Sequence, residues 1–173
     1  MAIVNSFSTA LGNTYNGIYN PARLVKGVGG PFIGLATIAP TDNIGSTYRL
    51  GRVKSSSRVS FGQLASDSDT ASTTAVNIGL YQPTTPGSLT LGAVVNATFF
   101  AAALPVHAAN VVQQCYCNAG GTVVAQNLDQ FIWQQLGLPE DPQQVYDVVA
   151  TISATATNGT CQLALQMWPI DDQ

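Results

Sequence analysis

Alternation of apolar and polar residues with period two recurs along this chain from Phe32 onward. Each run is cut short by a cluster of Gly, Pro, Asn, Asp or Ser. A period of two places successive side chains on opposite faces of a pleated strand, and frequent breakers forbid long elements. Phe32–Ile38 is apolar and ends at Ala39-Pro40-Thr41-Asp42. Tyr48–Lys54 alternates, and Arg58–Ala65 carries Val59, Phe61 and Leu64. Ala75–Gln82 sets Val76, Ile78 and Leu80 against Asn77, Gly79 and Tyr81. Leu89–Ala103 is a long apolar run, one strand or two around Asn96. Ala109–Cys117 and Thr122–Gln126 flank Asn118-Ala119-Gly120-Gly121 as a hairpin. Val145–Thr157 and Cys161–Trp168 flank Asn158-Gly159, a strong two-residue hairpin signal.

One segment departs from this period. In NLDQFIWQQLGLP, Leu128, Phe131, Ile132 and Leu136 recur at three and four, which predicts a helix over about 127–136. Asn127 suits the N-cap, Gln130 the third helical position, and Asp129 the first turn, where the helix dipole favours an anion. Gly137 and Pro139 stop it. Residues 1–31 hold many Asn, Gly and Pro and no sustained period, so they are expected to form an N-terminal arm. The organisation predicted is an arm, 1–31, and one domain, 32–173. The domain has about eight strands, one short helix and no crossover helices. That pattern fits an all-β antiparallel sandwich, best an eight-strand jelly roll.

Charge narrows the function. Only 9% of the 173 residues are charged, while 46% are hydrophobic. A free soluble domain carries about 25% charged residues, so much of this surface is expected to be covered by protein. The basic residues Arg23, Lys26, Arg49, Arg52, Lys54 and Arg58 all precede residue 59. With Asp42 as the one acid there, that stretch carries +5; eight acids and no Lys or Arg follow, for −8. The basic residues are spaced rather than clustered and the net charge is −3, so no nucleic-acid partner is expected. Pairing with an acidic neighbour chain is the favoured use of the band. No apolar stretch has the roughly 18 residues that read as a membrane span, so no membrane partner is expected. The start of the chain lacks the charged and apolar regions of a signal peptide.

Little here supports catalysis. His107 is the one histidine and Glu140 the one glutamate, and no G-x-S-x-G elbow accompanies them. Cys115, Cys117 and Cys161 are an odd set, read as buried small hydrophobes in a reducing compartment rather than a disulfide framework. A zinc site would need all three to converge with His107, and no metal or other cofactor is expected. Asp67 and Asp69 lack the rest of a calcium loop and read as a solvated turn. Gly27-Val28-Gly29-Gly30 lacks the context of a phosphate loop. Trp133, outside the helical stripe, and Trp168, near the end of the last strand, read as interface anchors.

Three segments carry a resemblance: Arg52-Val53-Lys54-Ser55-Ser56-Ser57-Arg58-Val59, Ala75-Val76-Asn77-Ile78-Gly79-Leu80-Tyr81 and Gly92-Ala93-Val94-Val95-Asn96-Ala97-Thr98-Phe99-Phe100. Their order resembles that in a group of tailed-phage head proteins, the jelly-roll cement (decoration) proteins. The stretch Trp133-Gln134-Gln135-Leu136-Gly137, then Tyr146-Asp147-Val148 with Thr151 and Ala154-Thr155, is also similar, so the likeness covers roughly residues 50–160. Asn77 and Asn96 stand where that group usually has Asp, so no charged contact carries over at those positions. The resemblance implies a non-enzymatic protein on the exterior of a virion capsid. Its partners would be the major capsid protein and, given the low charge, a second copy of itself as a homodimer. Candidate capsid contacts are Arg23, Lys26, Arg49, Arg52, Lys54 and Arg58. The rival expectations are a carbohydrate- or receptor-binding head-fibre module and a neck or tail component.

Overall fold

The computed structural model describes residues 5–7, 31–67, 74–83, 90–106, 111–114, 127, 129–154 and 160–171. In chain order the strands are β1 (Asn5–Phe7), β2 (Phe32–Ile38), β3 (Thr47–Lys54), β4 (Ser57–Ser66), β5 (Ala75–Tyr81), β6 (Val94–Pro105), β7 (Val111–Gln114), β8 (Val145–Ala154) and β9 (Cys161–Asp171). Among the described residues one α-helical turn, α1 (Ile132–Gln135), lies between β7 and β8. Two sheets form, ordered β1-β3-β8-β5-β6 and β2-β9-β4-β7. Every pairing is antiparallel except that of β1 with β3.

The pairing order is that of a jelly roll. β2 pairs with β9, β3 with β8, β4 with β7 and β5 with β6, as in one long hairpin. Rolling that hairpin brings β9 beside β4 and β8 beside β5 and splits the ribbon into two sheets. The fold class expected from the alternation is the one observed.

Alternation also decides the core. Ile38, Val59, Leu64, Leu163, Leu165 and Met167 point inward from the second sheet. Tyr48, Leu50, Val76, Ile78, Leu80, Phe100, Val148 and Ile152 meet them from the first, all nearly or fully buried. Where β2 crosses β3 the backbones approach too closely for a side chain. A Cβ on Gly34 would lie 2.2 Å from the Leu50 carbonyl oxygen.

Two local expectations change. The α-helix is a single turn inside the expected 127–136 span. Phe131 is extended (φ −66°, ψ 154°), and the Gln134 side chain, rather than Asn127, caps the turn by accepting the Phe131 N–H at 2.9 Å. Gly137, at φ +71°, closes the helix as predicted. Of the one strand or two expected in the long apolar run, one forms, β6, with bulges. The arm contains a strand, β1, which adds to the first sheet through three residues opposite Thr47–Arg49. The rest of the arm and the Asn118–Gly121 and Asn158-Gly159 turns lie outside the described residues.

Candidate assembly surface

A two-sheet sandwich has two outer faces, and this chain treats them differently. On the first sheet, Arg49, Asp147, Val149 and Tyr81 point away from the core and are nonetheless buried. The chain itself covers them. The Thr90 carbonyl, in the β5–β6 connection, accepts a hydrogen bond from Arg49 Nη2 at 3.3 Å. Between Ile78 and Leu80 the register of β6 on β5 slips, and the slipped backbone sits on the outer side of Gly79. A Cβ there would meet the Ala97 carbonyl oxygen at 2.4 Å.

Under that cover lies an ion cluster. Asp147 is fully buried; one carboxylate oxygen is 2.9 Å from Arg49 Nε, and the other accepts from Arg52 Nε at 2.7 Å. Burial pulls the Arg49 guanidinium below its ordinary pKa, and the Asp147 charge opposes that pull. These two arginines were expected to face a capsid. Arg49 is 1% exposed and Arg52 21%, and both are committed to an acid of their own chain. For Arg49 the expectation is corrected: a side chain this buried is framework, not a contact.

Among the described residues, the outer face of the second sheet is exposed along β2 and at Gln162, Trp168 and Ile170 of β9, and half-buried at Ala164, Gln166 and along β4. β2 offers Ile33, Leu35 and Thr37, all exposed. β9 offers Gln162, Ala164, Gln166, Trp168 and Ile170, and β4 offers Arg58, Phe61, Gln63 and Ala65. Register aligns them: Ile33 with Gln166, Leu35 with Ala164, Gln63 with Gln166, Phe61 with Trp168. Arg58 is the one charged group among the described side chains of this face. The Trp168 and Phe61 rings meet edge to face at 5.2 Å.

At one end of the face the chain builds an aromatic stack. The Arg58 guanidinium lies 4.5 Å over the Phe131 ring and donates to Asp129 at 2.5 Å; Phe131 stacks with Trp133 at 6.4 Å. Ser55, fully buried in the β3–β4 turn, fixes this end. Its carbonyl accepts from Trp133 N, its N–H donates to the Gln144 carbonyl, and its hydroxyl donates to Asp141. The structure therefore brings Arg58, Trp133 and Trp168 to one end of one face. Lys54 is half-buried at the close of β3, and Arg23 and Lys26 lie outside the described residues. The open face itself went unread in the sequence. Its signal is the uncharged outer positions of Phe32–Ile38 and Cys161–Trp168, visible only once those runs are placed in one sheet.

The remaining candidates are structural where they are described. Asn77 Oδ1 accepts from Ala103 N at 2.8 Å, holding a residue at φ 50°, and Asn96 Oδ1 accepts from Thr98 N at 3.0 Å. An amide oxygen does there what a carboxylate would. Cys161 is buried, and its thiol donates to the Asp67 carbonyl at 3.3 Å. Asp67 accepts from Gln162 N at 2.6 Å. His107, Cys115, Cys117 and Asp69 lie outside the described residues. Among the described residues no three metal-ligating side chains converge, and no helix is long and apolar enough to cross a membrane.

No family model matches the chain, and no curated protein matches its sequence. Among solved structures the chain is similar to one described as "Capsid of Ralstonia phage GP4". The identity is 12%, the TM-score 0.56, and the match covers 90% of this chain and 92% of that one, a likeness of fold.

Proposed function

We propose that this chain is a structural protein of a phage virion. In this role it is a cement (decoration) protein that binds the outside of an icosahedral head and bridges major capsid subunits. The observation that carries the proposal is the open, nearly uncharged outer face of β2, β9 and β4, on a domain that buries Arg49, Asp147, Val149 and Tyr81 on its other outer face. A sandwich so finished on one side and unfinished on the other is suited to completion by protein. Two things support the phage assignment: the motif resemblance over residues 50–160 and the jelly-roll likeness to a chain from the capsid of Ralstonia phage GP4. No catalytic step belongs to this role.

Cementing follows from multiplicity. Many copies, each bound weakly to a symmetric lattice, gain strength through avidity. Binding the mature lattice in preference to the immature one stabilises the mature state by mass action. Arg49 and Arg52 are consumed inside the fold and Arg58 is engaged by Asp129 and the Phe131 ring, so the basic capsid-facing role falls to Arg23, Lys26 and Lys54.

Stoichiometry in purified particles tests the assignment. Mass spectrometry against the major shell protein is expected to give a simple fraction corresponding to hundreds of copies. A handful of copies would move the protein to a vertex, neck or tail. It would then favour a second reading, a carbohydrate-binding head-fibre or tail module, in which the exposed Trp168 indole beside Gln166 and Gln63 stacks on a sugar.

A further inference from the structure

We infer that the open face of β2, β9 and β4 is occupied by the same face of a second copy of this chain, sheet against sheet. The inference rests on the structural role proposed above and names the partner of that surface.

Charge argues for it. The face carries one cation, Arg58, and Asp129 of the same chain already pairs with it. A charged foreign surface would find nothing here to neutralise it and would lose hydration on docking. The complement of a neutral apolar face is another neutral apolar face, and this chain supplies one. The fixed twist of a sheet suits such pairing, because two identical twisted sheets pack aligned, about 10 Å apart, with side chains interleaved.

Size sets a condition on it. β2, β4 and β9 have 7, 10 and 11 residues. At about 3.3 Å per residue and about 4.8 Å between strands, they make a flat area of roughly 450 Å² before side-chain relief. Stable interfaces start near about 600 Å² per partner. Flat area alone falls short of that, so the whole face and the relief of its side chains must be engaged at once, which a sheet of matching length and twist does and a single loop or helix does not. Trp168, 38% exposed beside Phe61, and Leu35, 49% exposed, are the anchors such an interface needs.

The test is sedimentation equilibrium of the purified full-length protein. The expected result is a mass twice the 18.0 kDa of the chain. Leu35→Glu combined with Trp168→Glu should weaken the dimer by roughly 100-fold or more while circular dichroism shows the same strand content. Val94→Glu, at an exposed apolar residue of the other sheet, should leave it unchanged. A monomeric wild-type protein overturns the inference, whether the chain's first thirty residues or the shell then cover the face. A dimer that survives the double substitution, or that Val94→Glu splits, overturns it as well. Particle stoichiometry is measured separately, so failure of this inference leaves the cement role standing, and the reverse.

Discussion

Asp147 has no exposed surface and faces two guanidinium groups, one of them on the equally buried Arg49. Taking a charge out of water costs several kcal/mol, and each member of this cluster is tolerated because the others are present. Asp147→Asn keeps the shape and removes the anion, leaving Arg49 charged and uncompensated. The expected loss is about 3–5 kcal/mol in urea unfolding. A loss below about 1 kcal/mol would show that water reaches Arg49 and that the cluster is not sealed. A second buried group sets the response to alkali. Tyr48 donates its hydroxyl to Asp42, and burial, then that bond and the Asp42 charge, push its pKa far above the ordinary 10.0. Tyr146 is raised too, by burial and then by Asp141. Above pH 10 the unfolded chain releases these protons and the folded chain holds them, so stability is complete below that pH and falls as pH rises. For Tyr48 the slope approaches about 1.4 kcal/mol per pH unit well above pH 10, and Tyr146 adds to it in the same direction. Tyr48→Phe should cost about 1–2 kcal/mol at pH 8, through the lost hydrogen bond, and should make the decline from pH 10 to pH 11 shallower. Unfolding curves for both proteins at the three pH values decide it, and equal slopes would remove Tyr48 as a cause.

At the level of elements, the strands were legible because each buries one side. In Ala75–Tyr81 the inward residues Val76, Ile78 and Leu80 are fully buried, and in Cys161–Asp171 every odd-numbered residue through Pro169 is buried. A local signal written every second residue needs no knowledge of the partner strand. The helix was less legible because its stripe serves another purpose. Phe131 is extended toward Arg58, 73 residues earlier in sequence, and Asp129 pairs with that same arginine instead of capping a first turn. Tertiary contacts overrode local propensity there. β1 was invisible for a related reason: three residues paired in parallel with β3 leave no period to detect. The basic band misled in a more instructive way. Its appeal for an acidic partner was real, but Asp147 supplies much of it from 95 residues away, and a charge count cannot say whether an opposite charge is folded inward or left on a neighbour.

At the scale of the whole molecule, internal pairing sorts the surface into two kinds. Arg49 and Arg52 are spent on Asp147, and Arg58 is shared with Asp129 and the Phe131 ring. Lys54 is half-buried at the end of β3 and Arg23 and Lys26 lie outside the described residues, while the sheet face of Leu35 and Trp168 is almost free of charge. If the neutral face joins two copies and the remaining basic residues meet the shell, the two contacts must answer differently to salt. Raising sodium chloride from about 0.1 M to about 1 M shortens the screening length from ~10 Å to ~3 Å. Attachment to the shell through the basic residues should then weaken roughly tenfold. Burial of apolar surface has no such term, so the dimer should keep its mass. Co-sedimentation with empty shells and analytical ultracentrifugation across the same salt series measure both. Shell binding that ignores salt would take the attachment away from the basic residues. Dissociation of the dimer by salt would mean that charge, and not the apolar sheet face, holds the two copies together.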